Sequence, residues 1–380
     1  MLENLDAYDV LVIGGGISGL GVAQEAVRRG FKTLLLEKGA CCAATSNSSM
    51  RIIHGGLRYL QSLDLRRMLE SIRAKADLLL QYPAFVKSLP CVMPLARIGL
   101  KSRWPVLGAI RFYNQLYSCL SPNTFCAARL VDEGFVNREI PALRGLAPFG
   151  ALMWHDAIVP RSVEFADLLK GQLRESGGEI REHWRVSEVF RGAAGFEVAA
   201  EAYGCVYRIP ARVVVNASGP WLRHINVNPA LRVKSEPRGW TKAFNIILNR
   251  QVEPEYAIGV SGGKGRLFFT TPRGDLSVIG TFYYPYMDMP DNLSVSEREI
   301  EEALGAYRCA MPRVRISSAD IKGIEAGVLP IKRGCPDMPV MYGVERIYDY
   351  VGYVEVLSTK YTTFQVQARR VLDKIEIYLR

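Results

Sequence analysis

With 380 residues, 49% of them hydrophobic and 23% charged, the chain has the composition of an ordinary globular protein, large enough to hold two domains. It shows no low-complexity tract, internal repeat or apolar run of membrane-spanning length, and its eight cysteines form no C-x-x-C pair or disulfide framework. The net charge of +10 comes without a nucleic-acid-binding motif, so nucleic acid is not an expected partner.

An apolar strand over residues 10–13 leads into Gly14, Gly16 and Gly19, a G-x-G-x-x-G run that opens a helical pattern ending at Arg29 and Gly30. A second apolar strand over 33–36 ends in Glu37. This is the dinucleotide-binding fingerprint. Gly14 allows the tight turn, Gly16 lets backbone approach a pyrophosphate, and Gly19 lets helix and strand pack closely. The helix N-terminus offers free N–H groups to phosphate, and Glu37 can accept the ribose hydroxyls, which favours FAD or NAD over NADP. A strand starting near Asp9 leaves no room for a signal peptide, so a cytoplasmic location is expected. The adjacent Cys41 and Cys42 read as structural.

A Ser/Thr-rich loop, ATSNSSMRIIHGGLRYLQ, follows and opens into a helical pattern over 57–80. Tyr82-Pro83 and Leu89-Pro90 mark a departure from the first domain. Residues 78–131 carry six Lys or Arg and no acid. Within this stretch, 97–117 alternates basic residues with Trp, Phe, Tyr and Leu. That pattern suits either a surface seated on anionic lipid headgroups or a solvated basic face over ordinary core residues.

Residues 161–176 read as an amphipathic helix stopped by Gly177-Gly178. Short strands are expected at 185–190, 196–200 and 206–209, then a buried strand at 212–216 closing on Ala217-Ser218-Gly219-Pro220-Trp221. A β-rich stretch with a hairpin near 272–275, a helix at 294–310, a strand at 351–357 and a helix from 362 to 379 complete the chain. The fold class is therefore α/β: a Rossmann-like, discontinuous nucleotide-binding domain (1–80, 150–225 and 326–380) with an inserted β-rich (α+β) substrate domain (81–149 and 226–325).

Together, VIGGGISGLGVA, the HGGLRYL loop, VVVNASGPW and STKYTTFQVQA resemble the D-amino-acid oxidase superfamily of flavoproteins, and within it the FAD-dependent glycerol-3-phosphate dehydrogenases. The resemblance runs from residue 9 to the C-terminus and is thin between 226 and 325. It implies FAD as cofactor. The AMP half would lie on Gly14, Gly16, Gly19 and Glu37, and the pyrophosphate and ribityl chain on Thr45, Ser46 and Ser49. His54, Gly55 and Gly56 would lie against the isoalloxazine. Val186, Ala217, Gly219 and Trp221 would complete the cofactor contacts, with Lys360, Tyr361, Thr362 and Thr363 at the pyrimidine end, where a helix dipole stabilises negative charge. The catalytic set implied is Arg58, Tyr59, His54 and Lys360.

The implied reaction moves a hydride from a small anionic alcohol to flavin N5. The alternatives are a 2-hydroxy acid or amine substrate, or a flavin-binding subunit without catalysis. A membrane surface and a quinone acceptor are the partners that the basic stretch would suit. His54 can be a covalent attachment point, a base or a packing residue; the family holds FAD without a covalent bond. The other three histidines, His155, His183 and His224, are too scattered to suggest a metal site and read as structural. Two positions depart from the family pattern. Its G-V-R-P-L reads Gly327-Val328-Leu329-Pro330-Ile331, and a family histidine corresponds to Asn245. Lys242, Lys332 and Arg333 are the nearby cations that can compensate for the missing guanidinium.

Overall fold

A computed structural model describes residues 7–192, 194–231, 233, 237, 239–262, 267–333 and 340–380. Two sheets organise the described residues. The first is seeded by Tyr8–Ile13, whose Val10 and Val12 face one core while Leu11 and Ile13 face another. A strand buried on both faces has to be apolar throughout, which is why this run shows no alternation. It lies parallel between Thr33–Glu37 and the second half of Cys205–Asn216, and Tyr353–Leu357 pairs parallel beyond that. The two strands expected at 206–209 and 212–216 are one twelve-residue strand. Its first half pairs antiparallel with Gly195–Ala202, and its second half joins the parallel sheet.

Helices cover one face. Ile17–Arg28 ends on Arg29, and Gly30 takes the left-handed φ of +88° that the sequence pattern anticipates. Phe364–Ile375 buries Phe364, Gln367, Ala368, Val371, Leu372 and Ile375, the spacing of a single helical stripe. Each large apolar side chain on that stripe contributes roughly 1.5–3 kcal/mol by leaving water. Arg29 clamps the two helices by bonding Glu25, Asp373 and Glu376. The helix expected over 57–80 is divided: a 3-10 turn, Leu57–Ser62, gives way to Leu65–Gln81, capped by Asp64, whose side chain accepts from the Arg67 N–H. Leu63, at φ +52°, makes the break.

The second sheet joins ten strands from two stretches of chain, 52–158 and 239–341. Its floor is Gly239–Leu248 between Leu276–Tyr286 and Ile321–Arg333, both antiparallel to it. Leu267–Arg273 and Leu276–Tyr286 form the hairpin expected near 272–275, turning at Gly274. Ala151–Ile158 and the end of Ile321–Arg333 fall within spans expected for the nucleotide-binding unit, yet both pair in this second sheet. No helix among the described residues is long and apolar enough to cross a membrane.

Candidate active site

A cavity of about 980 Å³ runs between the two sheets, lined by residues that directly follow the parallel strands: Gly14, Glu37–Lys38, Ala217 and Ser358. Ligands of open α/β sheets bind at these carboxyl ends. Backbone bonds close the ends: Gly14 N–H donates to Leu36 O at 2.8 Å, and Ala217 N–H to Ile13 O at 2.8 Å.

The three fingerprint glycines separate by role. Gly14 has φ +100°, and a Cβ there would come within 2.7 Å of Ser218 Cα. A Cβ on Gly19 would fall 1.8 Å from Gly14 O, so Gly19 serves packing and does not line the cavity. Gly16 does line it, with only Ser46 Oγ within 4 Å of its notional Cβ. That open approach fits a pyrophosphate laid against bare backbone, and no side chain caps the helix start behind it. Glu37 is held by Gly15 N–H at 2.6 Å and Gly39 N–H at 2.8 Å, one on each carboxylate oxygen, leaving lone pairs for ribose hydroxyls. These features fit a dinucleotide.

The loop after Glu37 lines the next part. Ser46 Oγ accepts from Ile17 N–H at 3.0 Å, and Ser49 Oγ from Arg51 N–H at 3.1 Å, so each hydroxyl keeps a proton to donate. Thr45 Oγ1 bonds both the N–H and the carbonyl of Val328 and ties this loop to the second sheet. Thr45, Ser46, Ser49, Val186, Ala217, Gly219 and Trp221 all line the cavity.

His54 is built in from two sides. Its N–H donates to Thr362 Oγ1 at 3.1 Å, and its Nδ1 lies 2.9 Å from Asp156 Oδ2. Burial pushes the Asp156 carboxyl up, but bonds from His54 and the Gly55 N–H, with the charge of Lys75, outweigh it and hold the carboxyl below its ordinary range. An ionised Asp156 can only accept, so Nδ1–H donates to it and the contact fixes the orientation of the ring. Gly55 and Gly56 turn away from the cavity. A Cβ on Gly55 would meet Lys75 Nζ at 2.9 Å, and one on Gly56 the Met68 carbonyl at 2.8 Å. Their smallness serves the packing of the loop onto Leu65–Gln81. Thr363, buried as the N-cap of the last helix, likewise stays outside the lining, whereas Lys360, Tyr361 and Thr362 are in it.

Three cations gather on Tyr59. Arg58 lies 5.2 Å, Lys360 5.0 Å and Arg67 5.8 Å from the ring centroid. Arg67 is neutralised by Asp64 at 2.7 Å, whereas Arg58 and Lys360 have no ion-pair partner among the described residues. Tyr283, which the sequence pattern did not single out, lines the same end. Burial pushes its phenol up, against the opposing pull of Arg58 and Thr281. Asn245 is engaged at both ends of its amide: Nδ2 donates to Ser48 O at 3.1 Å, and Oδ1 accepts from Thr281 at 2.9 Å. Leu329 lines the cavity, and the cations near it in sequence do not replace a guanidinium there. Lys242 points to Glu299 at 2.7 Å on the outer face, Lys332 is exposed, and the Arg333 side chain lies outside the described residues.

The sequence pattern also missed a strap across the ribose end. Lys38 sits 3.8 Å over the Trp221 ring and pairs with Asp291, which accepts from Trp221 Nε1 at 2.9 Å. Only Trp221 carried a local signal; Asp291 arrives from a distant turn.

The family model described as "FAD dependent oxidoreductase" matches residues 9–354. The chain belongs to this family, DAO. Among relatives, it is 29% identical over 340 residues to a glycerol-3-phosphate dehydrogenase of Pseudomonas aeruginosa, covering 86% of this chain and 62% of that protein. It is 28% identical to the aerobic glycerol-3-phosphate dehydrogenase of Escherichia coli, covering 98% of this chain and 74% of that one. The chain thus spans less than two thirds of the first of these relatives. In fold it is similar to the FAD complex of glycerol-3-phosphate dehydrogenase from Bacillus halodurans, with TM-score 0.72 and 20% identity over 98% of this chain and 65% of that one. Glycine oxidase from Geobacillus kaustophilus follows at TM-score 0.70 and 16% identity, over 98% of this chain and 95% of that one. As in other members of the DAO family, the cofactor is FAD.

Proposed function

We propose that this DAO-family protein oxidises a small anionic alcohol, in the manner of the glycerol-3-phosphate dehydrogenases it resembles. Bound FAD supplies the hydride acceptor. Gly14, Gly16 and Glu37 hold its AMP half, and the Thr45–Ser49 loop its linker. His54, held in place by the Asp156 carboxylate at Nδ1, is the candidate acceptor for the substrate hydroxyl proton. The observation that carries the reading is the pair of cations without an ion-pair partner among the described residues, Arg58 and Lys360, at 5.2 and 5.0 Å from the Tyr59 ring centroid.

A second reading, a 2-hydroxy acid or amine substrate, is favoured by Leu329 and Asn245, which leave the second-sheet wall without the family's cation and imidazole. As partners we propose an anionic membrane surface met by residues 97–117, and a quinone as electron acceptor.

The test is Arg58→Ala in protein that retains its flavin. Losing a charged hydrogen bond costs about 1.5–3 kcal/mol, so kcat/KM should fall by about one to two decades with FAD content unchanged. Anaerobic bleaching of the flavin by polyol phosphates, hydroxy acids and amines identifies the substrate. Unaltered turnover in Arg58→Ala would overturn the anion-binding role.

A further inference from the structure

Behind the Ser/Thr loop lies an ion cluster that none of the roles above uses. Glu325 Oε1 accepts from Arg51 Nη2 at 2.7 Å and from Arg273 Nη1 at 2.6 Å. All three side chains are strongly buried, at 11, 15 and 15% exposure. Two guanidiniums thus share a single oxygen of one carboxylate, and the cluster keeps a net charge of +1. Its bonding is also incomplete: Arg51 Nε, Arg273 Nη2 and Glu325 Oε2 are buried without a partner. Burial and the neighbouring Arg273 lower the Arg51 pKa, and Glu325 only partly offsets them. An under-compensated cation at low dielectric stabilises any negative charge that appears near it.

Arg51 is the member of the cluster that lines the cavity. It is held there at a left-handed φ of +59°, three residues before His54. Its Nη2 also meets Asn47 Oδ1 at 3.2 Å, and its Nη1 the Pro160 carbonyl at 3.3 Å, so the guanidinium is braced on several sides. The pyrophosphate cradle at Gly14–Gly16 lies at the mouth of the first sheet. Arg51 leaves the loop toward Glu325 of the second sheet and near Tyr361. The family resemblance sets His54, three residues on, against the isoalloxazine, and on that placement Arg51 stands at the ring end.

We propose that Arg51 sets the reduction potential of the bound flavin, with Glu325 and Arg273 as the positioning residues that aim it and meter its charge. The proposal rests on FAD occupying this cavity. The flavin gains negative charge on reduction, so a net +1 beside it favours the reduced form. Glu325 limits that bias, and Arg273 prevents Glu325 from cancelling Arg51 outright.

The experiment is a dye-equilibrated reductive titration of FAD-loaded protein, paired with measurement of FAD affinity in the oxidised state. Arg51→Met should shift the reduction equilibrium about tenfold toward oxidised flavin, a fall of about 30 mV for a two-electron couple. Arg51→Lys should recover most of that shift. Glu325→Gln, which keeps the side-chain shape, should move the potential upward, and it carries the test if Arg51→Met does not fold. Unchanged potentials in flavin-replete Arg51→Met and Glu325→Gln would overturn the proposal and leave the cluster a structural brace. Equal weakening of oxidised and reduced FAD would overturn it in favour of a phosphate clamp. Wild-type protein that binds no flavin would instead refute the occupancy on which the proposal rests.

Discussion

Glu37 and Gly16 show how single residues set the cofactor end of the cavity. The Glu37 carboxylate is pinned by two backbone N–H groups, so it meets a ribose without losing side-chain freedom at that moment. Gly16 owes its role to an absent side chain. Gly16→Val would project a branched group into space that has only Ser46 Oγ as a neighbour, the space that the phosphate-loop assignment gives to the pyrophosphate. The purified variant should be colourless, read as the ratio of flavin to protein absorbance; full flavin content would overturn the phosphate-loop assignment. Cys41 and Cys42 illustrate the reverse case, a conspicuous pair whose thiols the fold holds protonated. Burial pushes both thiols up, Cys42 to about 12, far from the thiolate form that reacts.

Among the elements, the helix Arg103–Leu120 and the turn before it differ most from their surroundings. Val106, Ile110, Tyr113 and Tyr117 face inward at helical spacing. On the outside, Ile98, Leu100 and Trp104 are 81, 75 and 75% exposed, interleaved with Arg97, Lys101 and Arg103. Exposed aromatic and aliphatic groups among cations suit a lipid headgroup layer, and the attraction is screened by salt. Co-sedimentation with anionic vesicles should therefore exceed that with neutral vesicles at low salt, decline as salt rises, and weaken further in Trp104→Ala. Equal recovery with both vesicle types would sink the membrane proposal. The alternation in 97–117 was readable from the residues alone. Which side of the helix stays exposed was not, because that depends on what Tyr113 and Tyr117 pack against.

At the scale of the whole molecule, the cavity lies between two sheets whose strands come from both halves of the chain. Thr45 bonded to Val328, Arg51 to Glu325 and Lys38 to Asp291 tie the sheets together around it. A ligand that bridges them stabilises the folded state by mass action, about 2.7 kcal/mol at a hundredfold excess over Kd. Protein stripped of FAD should melt at a lower temperature, and added FAD should restore the original melting temperature in a concentration-dependent way. Identical melting curves with and without FAD would show that the cofactor does not join the sheets.

The sequence by itself determined the dinucleotide site, because its parts are local. A buried strand, a glycine turn, a helix start and a terminal acid lie within 30 residues and need only their own backbone geometry. The strand order of the second sheet, the split of the 57–80 helix at Leu63 and the course of Cys205–Asn216 through both halves of its sheet were decided by tertiary pairing. So were the inward turn of Gly55 and Gly56, the outward course of Lys242, and the meeting of Arg51, Arg273 and Glu325. Each of these depends on which distant segment fills the space beside a residue, and the energy of burying a charge or a glycine there exists only once the two sheets have closed on each other.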